Sequence, residues 1–430
     1  MIIDLIRVPD TKTIDDLLDE PLGLLYLAAS LKKKGYEVRI TNFAGFNEDN
    51  WKNEIKEADI YGIQLYTPTA HLGIEIAKYI KSIFPDKPII CGGAHPSALP
   101  YSPELKIFDV IVIGEGENTI VNIADNYNNG ITPPKIIKSC YIENIDNLAF
   151  PDRSMVNMFE FHRKVNGKRC FGILGSRGCS YHCAFCDQAL FGNKIRFRSI
   201  DNIISEIKHI IEKYNIRAFE FFDDMFTVSK KRLIEFNFKI KDYNIEYRCN
   251  GRTDINDQET YNLLYESGCR LICFGIESGS QKILNLMNKH NTVENAYKAI
   301  SNAKKAGLLV AGYFLIGFPG ETTDTIKETI NFINQSNIDQ AQGYTFVPLP
   351  GCDVYKNPEK YGILEMSKDY SDYYLIQGKH GLGGKTISTK FLNAYELESE
   401  VKKFREFLKN RTTKGCVQDY YKNQLNFNVK

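Results

Sequence analysis

The chain has 430 residues, 43% apolar and 25% charged, enough to bury two or three globular cores rather than one. A net charge of +1 gives no electrostatic case for nucleic acid or an anionic membrane as the main partner. The N-terminus, MIIDLIRVPD, carries an acid at position 4 and no apolar run long enough for a signal peptide or a membrane span, so a cytoplasmic protein is expected.

Residues 1–135 alternate short apolar strands with amphipathic helices. MIIDLIRV reads as a strand and PLGLLYLAASLKKKG as a helix ended by Gly35; YEVRIT and DIYGIQLY are further strands, and LGIEIAKYIKSIF is the next helix. PIICGG, DVIVIGEGE and a helix from about Asn118 complete a pattern that predicts a doubly wound parallel sheet. Residues 136–165, with ENIDNLAFPDRSM, lose the period and read as a linker.

A second alternation fills residues 166–365, with strands FGILGS, RAFEFFDD, IEYRCN, RLICFGIES, VAGYFLIGF and QGYTFVP. Six βα units predict a partial barrel related to the (β/α)8 design. Residues 366–430 lack a strand period: KFLNAYELESEVKKFREFLKN reads as a helix, and the aromatic, glycine-rich DYSDYYLIQGKHGLGGK as a lid closing the barrel mouth.

Eleven cysteines in a reducing compartment read as thiols and metal ligands rather than as a disulfide framework. Three of them, Cys179, Cys183 and Cys186, share the loop GSRGCSYHCAFCDQALFG after the first barrel strand, at the end where barrel sites gather. Three thiolates so close suit three irons of a [4Fe–4S] cluster, leaving one iron free to chelate a substrate or cofactor. Zinc held by these cysteines and His182 is the competing assignment, with the histidine poorly placed to reach the same ion.

The spacing, the preceding GSRG and the aromatic Phe185 before the last cysteine resemble the radical S-adenosylmethionine (SAM) superfamily. The resemblance implies that SAM docks on the free iron and is cleaved to a 5′-deoxyadenosyl radical by one electron from a flavodoxin- or ferredoxin-type donor. It also implies roles at later strand ends: Asp223 and Asp224 toward the SAM ammonium, Arg252 toward its carboxylate, Glu277 and Ser278 toward ribose and methionine, and Ile316, Gly317 and Phe318 along the adenine. Helix capping by the two aspartates and a surface ion pair for Arg252 stay open as plainer readings.

PLGLLYLAASLKKKGYEV, IICGGAHPSALP and DVIVIGEGE resemble the cobalamin (B12)-binding domain fused before the barrel in one branch of that superfamily. Gly92, Gly93, Gly114 and Gly116 stand at strand ends, where a missing side chain lets backbone approach a bulky ligand, or they simply make βα turns. Glu115, Glu117 and His95 join them as candidate contacts, with Tyr66, Pro68 and Thr69 beneath the corrin ring. The D-x-H-x-x-G motif that supplies a cobalt ligand in other B12 domains is absent from VPDTKTIDD, which predicts base-off cobalamin; His71 reads as a residue of the next helix's first turn.

Together the resemblances imply a cobalamin-dependent radical SAM enzyme, foremost a methyltransferase acting on an unactivated carbon of a small-molecule, lipid or peptide substrate. Non-methylating ring chemistry and a vestigial B12 domain are the alternatives within the family. A methylthiotransferase would need extra N-terminal cluster cysteines, and residues 1–135 hold only Cys91. A corrinoid carrier would leave the acidic and glycine-rich strand ends without purpose.

Overall fold

The computed structural model describes residues 1–13, 15–46, 50–374 and 386–410. The first unit runs β1 (Ile2–Arg7), α1 (Leu22–Lys33), β2 (Glu37–Asn42), β3 (Ile60–Gln64), α2 (Ala70–Ile83), β4 (Ile89–Gly92), α3 (Ala94–Ala98), β5 (Val110–Ile113), α4 (Glu117–Asn128) and β6 (Ile136–Lys138). Its strands form one parallel sheet in the order β2-β1-β3-β4-β5-β6. Each face is covered, one by α1 and α4 through Leu24, Ala28, Ile120 and Ile123, the other by α2 through Leu72, Ile76 and Ile80. The doubly wound reading therefore holds. Residues 136–138 depart from the expected linker: as a sixth strand they pair in parallel with β5. Three residues are too few to show a period.

The connection to the second unit carries short 3₁₀ turns, and a hairpin of β7 (Lys164–Val165) and β8 (Lys168–Arg169) leads into it. Then follow β9 (Phe171–Ile173), the short pair β10 (Ser176–Arg177) and β11 (Arg196–Phe197), α5 (Ile200–Tyr214), β12 (Ala218–Phe221), α6 (Lys230–Ile240), β13 (Glu246–Gly251), α7 (Gln258–Glu266) and β14 (Cys269–Glu277). The chain continues with α8 (Gln281–Leu286), α9 (Val293–Lys305), β15 (Leu309–Ile316), α10 (Thr323–Gln335) and β16 (Gln340–Thr345). Six strands, β9, β12, β13, β14, β15 and β16, make an open parallel sheet in chain order, as the six expected βα units require. Phe219, Phe221, Tyr247, Ile272, Phe274, Val310 and Phe314 bury against the helices. The alternate positions, among them Glu220, Arg248, Cys273 and Tyr313, turn to the concave side, as the strand period of two dictates.

The tail carries structure of its own. After α11 (Asp353–Lys356), β17 (Ile363–Met366) pairs antiparallel with β18 (Ile387–Thr389), and α12 (Ala394–Asn410) buries Leu397, Val401 and Phe404 in the barrel's helix layer. Residues 367–374 reach back to the first unit instead, where Lys12 Nζ donates to the Ser371 carbonyl at 2.8 Å. Positions 375–385 of the expected lid lie outside the described residues.

Candidate active site

The three-cysteine loop leaves β10 at the carboxyl end of the barrel sheet. Its shape is set by backbone bonds: Ala184 N–H donates to the Met287 carbonyl at 2.8 Å, Val354 N–H to the Ala184 carbonyl at 3.1 Å, and the Gln188 amide to the carbonyls of Cys179 and Tyr181 at 3.0 and 2.6 Å. All three cysteines are free thiols, Cys179 and Cys183 half-buried and Cys186 exposed. Although Cys186 reaches solvent, desolvation by the protein around it, then the charges of Cys183, Asp224 and Cys179, push its thiol up to about 12. Cys179 is raised by burial and by Asp224 and Cys183.

Around it, strand-end side chains divide into those that face the loop and those that brace it. Asp224 is exposed and acts on both Cys179 and Cys186, so it faces the loop as expected. Asp223 does not. It is buried, accepts from Gly175 N–H at 2.7 Å and from Ser176 Oγ at 2.5 Å, and ties the end of β12 to the turn before the cysteines. Burial raises its carboxyl to about 6, against the pull of those two bonds.

Arg252 is likewise taken: it pairs with Asp254 at 3.1 Å, donates to the Lys289 carbonyl at 2.8 Å and lies 3.5 Å over the Tyr181 ring, whose hydroxyl also donates to Asp254. It braces the cluster loop from β13. Ser278 is fully buried, with Oγ on Thr329 and on Ser280 N–H, and turns away from the mouth.

Glu277 stays at the mouth, half-buried, with a left-handed φ of 68° at a bulge between β14 and β15. A non-glycine residue there is strained, which marks the position as held for a purpose. Its carboxylate accepts from Lys289 Nζ at 2.8 Å, and that ammonium lies 5.6 Å over Phe185. Phe318 is buried in one apolar cluster with Phe185 and Phe346, while Gly317 adopts a φ of 92° beside Leu397 of α12; Ile316 faces the helix layer.

At the edge of the first sheet, the strand order places the topological switch between β1 and β3, where ligands of open α/β sheets bind. Tyr66 is 52% exposed there, beside half-exposed Pro68, whereas Thr69 is buried under them. Gly93 has a φ of 110° and would bring a Cβ to 2.8 Å from the Leu65 carbonyl; Gly114 has a φ of 87°. Both turns therefore need glycine for their backbone alone, and they leave the edge bare beside Gly92. Gly116 is conformationally ordinary and backs onto Leu27.

Three side-chain assignments at this edge fail. His95 is fully buried, with Nδ1 3.3 Å from Thr67 Oγ1 and Nε2 3.7 Å from Glu104, and its ring meets Tyr370 edge-on at 5.1 Å. Burial lowers its pKa, against the pull of Glu104, and the ring is enclosed. Glu115 and Glu117 are buried and bound by arginines of the barrel, Arg177 to both at 2.6 Å and Arg196 to Glu115 at 2.5 Å. His71 lies in the first turn of α2, as expected.

Residues 173–333 match the radical SAM superfamily and residues 19–124 the B12 binding domain. The chain carries a radical SAM superfamily domain and, before it, a B12 binding domain. A Pyrococcus horikoshii protein named as an uncharacterized methyltransferase, PH0819, is 29% identical to it over 93% of this chain and 94% of its own. An anaerobic magnesium-protoporphyrin IX monomethyl ester cyclase of Rubrivivax gelatinosus is 28% identical over 81% of this chain and 68% of its own. Among solved structures, the radical S-adenosylmethionine methyltransferase TsrM of Kitasatospora setae, seen with cobalamin and a [4Fe–4S] cluster bound, shares the fold with a TM-score of 0.69 at 15% identity, over 94% of this chain and 88% of its own.

The donor set at the barrel mouth fits a four-iron cluster better than a single ion. Among the described residues no three Cys, His, Asp or Glu side chains converge as ligands of one metal. A cube instead takes one thiolate per iron, spread over its corners. The first sheet's edge, with bare glycine turns and an exposed tyrosine, fits the approach of a large planar ligand. Reasoning from sequence missed Arg177, Arg196, Lys289, Tyr181 and Asp254. Arg177 and Tyr181 lay inside the quoted cysteine loop, but their partners, Glu115 and Glu117 for one and Asp254 for the other, are far away in sequence.

Proposed function

We propose that the protein is a cobalamin-dependent radical SAM methyltransferase acting on an unactivated carbon. The observation that carries this reading is the pairing, in one chain, of a three-thiol barrel loop with a B12-type sheet edge. When bound, the cluster and SAM supply a hydrogen-abstracting radical and the corrinoid supplies the methyl group. Cys179, Cys183 and Cys186 would hold the cluster, Asp224 and the strained Glu277 would face SAM, and Phe185 and Phe318 would wall the adenine. Arg252, Asp254 and Tyr181 keep the loop in place without touching the ligand. Tyr66, Pro68, Gly92, Gly93 and Gly114 would border the corrinoid, and the loop after β1 carries no histidine to ligate its lower face, which favours base-off binding.

The concave side of the barrel sets polar groups beside an apolar cluster of Leu271, Cys273 and Ala311. Arg248 is paired with Glu220 at 3.2 Å and donates to the Tyr313 hydroxyl at 2.9 Å, and the Tyr313 and Tyr344 rings meet at 5.9 Å. This favours a small molecule with both ring and polar character over a lipid. An external flavodoxin- or ferredoxin-type donor would deliver the electron, in the cytoplasm, and nucleic acid has no place in the reading. Among the described residues no helix is long and apolar enough to cross a membrane.

The relative named a cyclase favours a second reading, corrinoid chemistry without methyl transfer. Anaerobic incubation of the reconstituted protein with SAM and reductant separates the two. Methyl transfer predicts S-adenosylhomocysteine stoichiometric with corrinoid; 5′-deoxyadenosine without S-adenosylhomocysteine would exclude it.

A further inference from the structure

Between the two units lies a closed group of four charges: Glu115, Glu117, Arg177 and Arg196, exposed by 5, 6, 4 and 4%. Glu115 belongs to the turn between β5 and α4 and Glu117 opens α4, at the proposed corrinoid edge. Arg177 ends β10, two residues before Cys179, and Arg196 begins β11. The Arg177 guanidinium forks, one nitrogen on each glutamate at 2.6 Å, and is sandwiched at 5.2 Å from both the Tyr26 and the Phe191 ring. Arg196 reaches the other Glu115 oxygen and the Ile142 carbonyl, and lies 3.9 Å over Tyr141.

The charges sum to zero, and their net contribution to stability over apolar residues of the same volume is small, because desolvation offsets attraction. What such a group does supply is direction: a planar fork between two fixed carboxylates tolerates neither sliding nor rotation, whereas apolar surfaces do. The rest of the junction holds the units together without it. Glu20 accepts from Gly172 N–H at 2.6 Å, and Arg163 pairs with Asp19 and with Glu220 at 2.9 Å.

We propose that Arg177, Arg196, Glu115 and Glu117 are positioning residues that set the orientation of the corrinoid edge relative to the cluster loop. The functional meaning of this inference rests on the reading above. Its geometry does not: it concerns how the sheet edge stands to the three cysteines.

The test uses the full chain, reconstituted anaerobically with iron and sulfide. A nitroxide is attached at Tyr101→Cys, a position 82% exposed on the first unit, with Cys140 and Cys416 replaced by serine. The reduced cluster speeds the relaxation of the nitroxide according to their separation. Glu117→Gln and Arg177→Lys, which each leave part of the fork unmade, are expected to keep their iron and to shift the nitroxide's half-saturation power away from that of the parent. Unchanged half-saturation power in both would overturn the proposal. Should either lose its iron, Arg196→Lys takes its place, and an unchanged value there overturns the proposal equally. Corrinoid content, measured on the same samples, reports on the functional reading separately, since the nitroxide readout needs only the cluster.

Discussion

The barrel mouth and the edge of the first sheet build their sites from different materials. At the mouth the work falls to side chains: three thiols, Asp224 facing them, and braces in which Asp223 holds Gly175 and Ser176 while Arg252 holds Asp254. At the sheet edge it falls to backbone, with Gly93 and Gly114 turning through left-handed conformations and the polar side chains nearby engaged elsewhere. A site that must ligate metal needs specific donor atoms. One that must admit a broad flat ligand needs side chains to be missing.

That contrast predicts unequal responses to substitution. The largest is expected for Cys183→Ala, where iron should fall from about four per chain to nearly none while corrinoid retention is unchanged; loss of both together would show that the two sites are not separable. Next comes Gly93→Ala. Strained at a φ of 110° and pressed against the Leu65 carbonyl, it should cost about 1–3 kcal/mol and reduce corrinoid retention with full iron content. A melting curve and a corrinoid titration on the same sample check both halves.

A smaller effect concerns Glu321, buried in the turn between β15 and α10, where its carboxylate accepts from Gly317 N–H at 2.5 Å. Burial raises its pKa from 4.5 to about 8, against the pull of the Gly317 and Phe318 N–H groups. An acid raised in the folded state contributes stability that is complete below its unfolded value and is lost as pH rises through the folded one. Glu321→Gln should therefore abolish the part of the fall in melting temperature between pH 4.5 and about 8 that Glu321 causes. An identical pH profile for parent and variant would contradict this.

The same division explains what could be read from sequence. Strands and helices of both units were legible because each buries one face or both, which writes a period into the chain; β6, three residues long, is too short to write one. The cysteine loop was legible because its ligands are adjacent in sequence. Arg252, Ser278 and Asp223 stand at strand ends as expected, but whether such a side chain faces a ligand or a neighbouring turn depends on partners such as Asp254, Thr329 and Gly175, contributed by other parts of the fold. Glu115 and Glu117 illustrate the limit: GEGE resembles a ligand-binding turn in sequence, and only the arrival of Arg177 from the other unit shows what its carboxylates hold. Lys289, in NKHN, carries no local pattern at all.

The central claim is that one chain holds both cofactors. The most direct test is to reconstitute the protein anaerobically with iron, sulfide and hydroxocobalamin, desalt it, and record metal content, corrinoid content and the ultraviolet–visible spectrum. About four irons and one retained, base-off corrinoid per chain are expected. A full complement of iron with no retained corrinoid would contradict the account, leaving a radical SAM barrel whose first unit serves some other purpose.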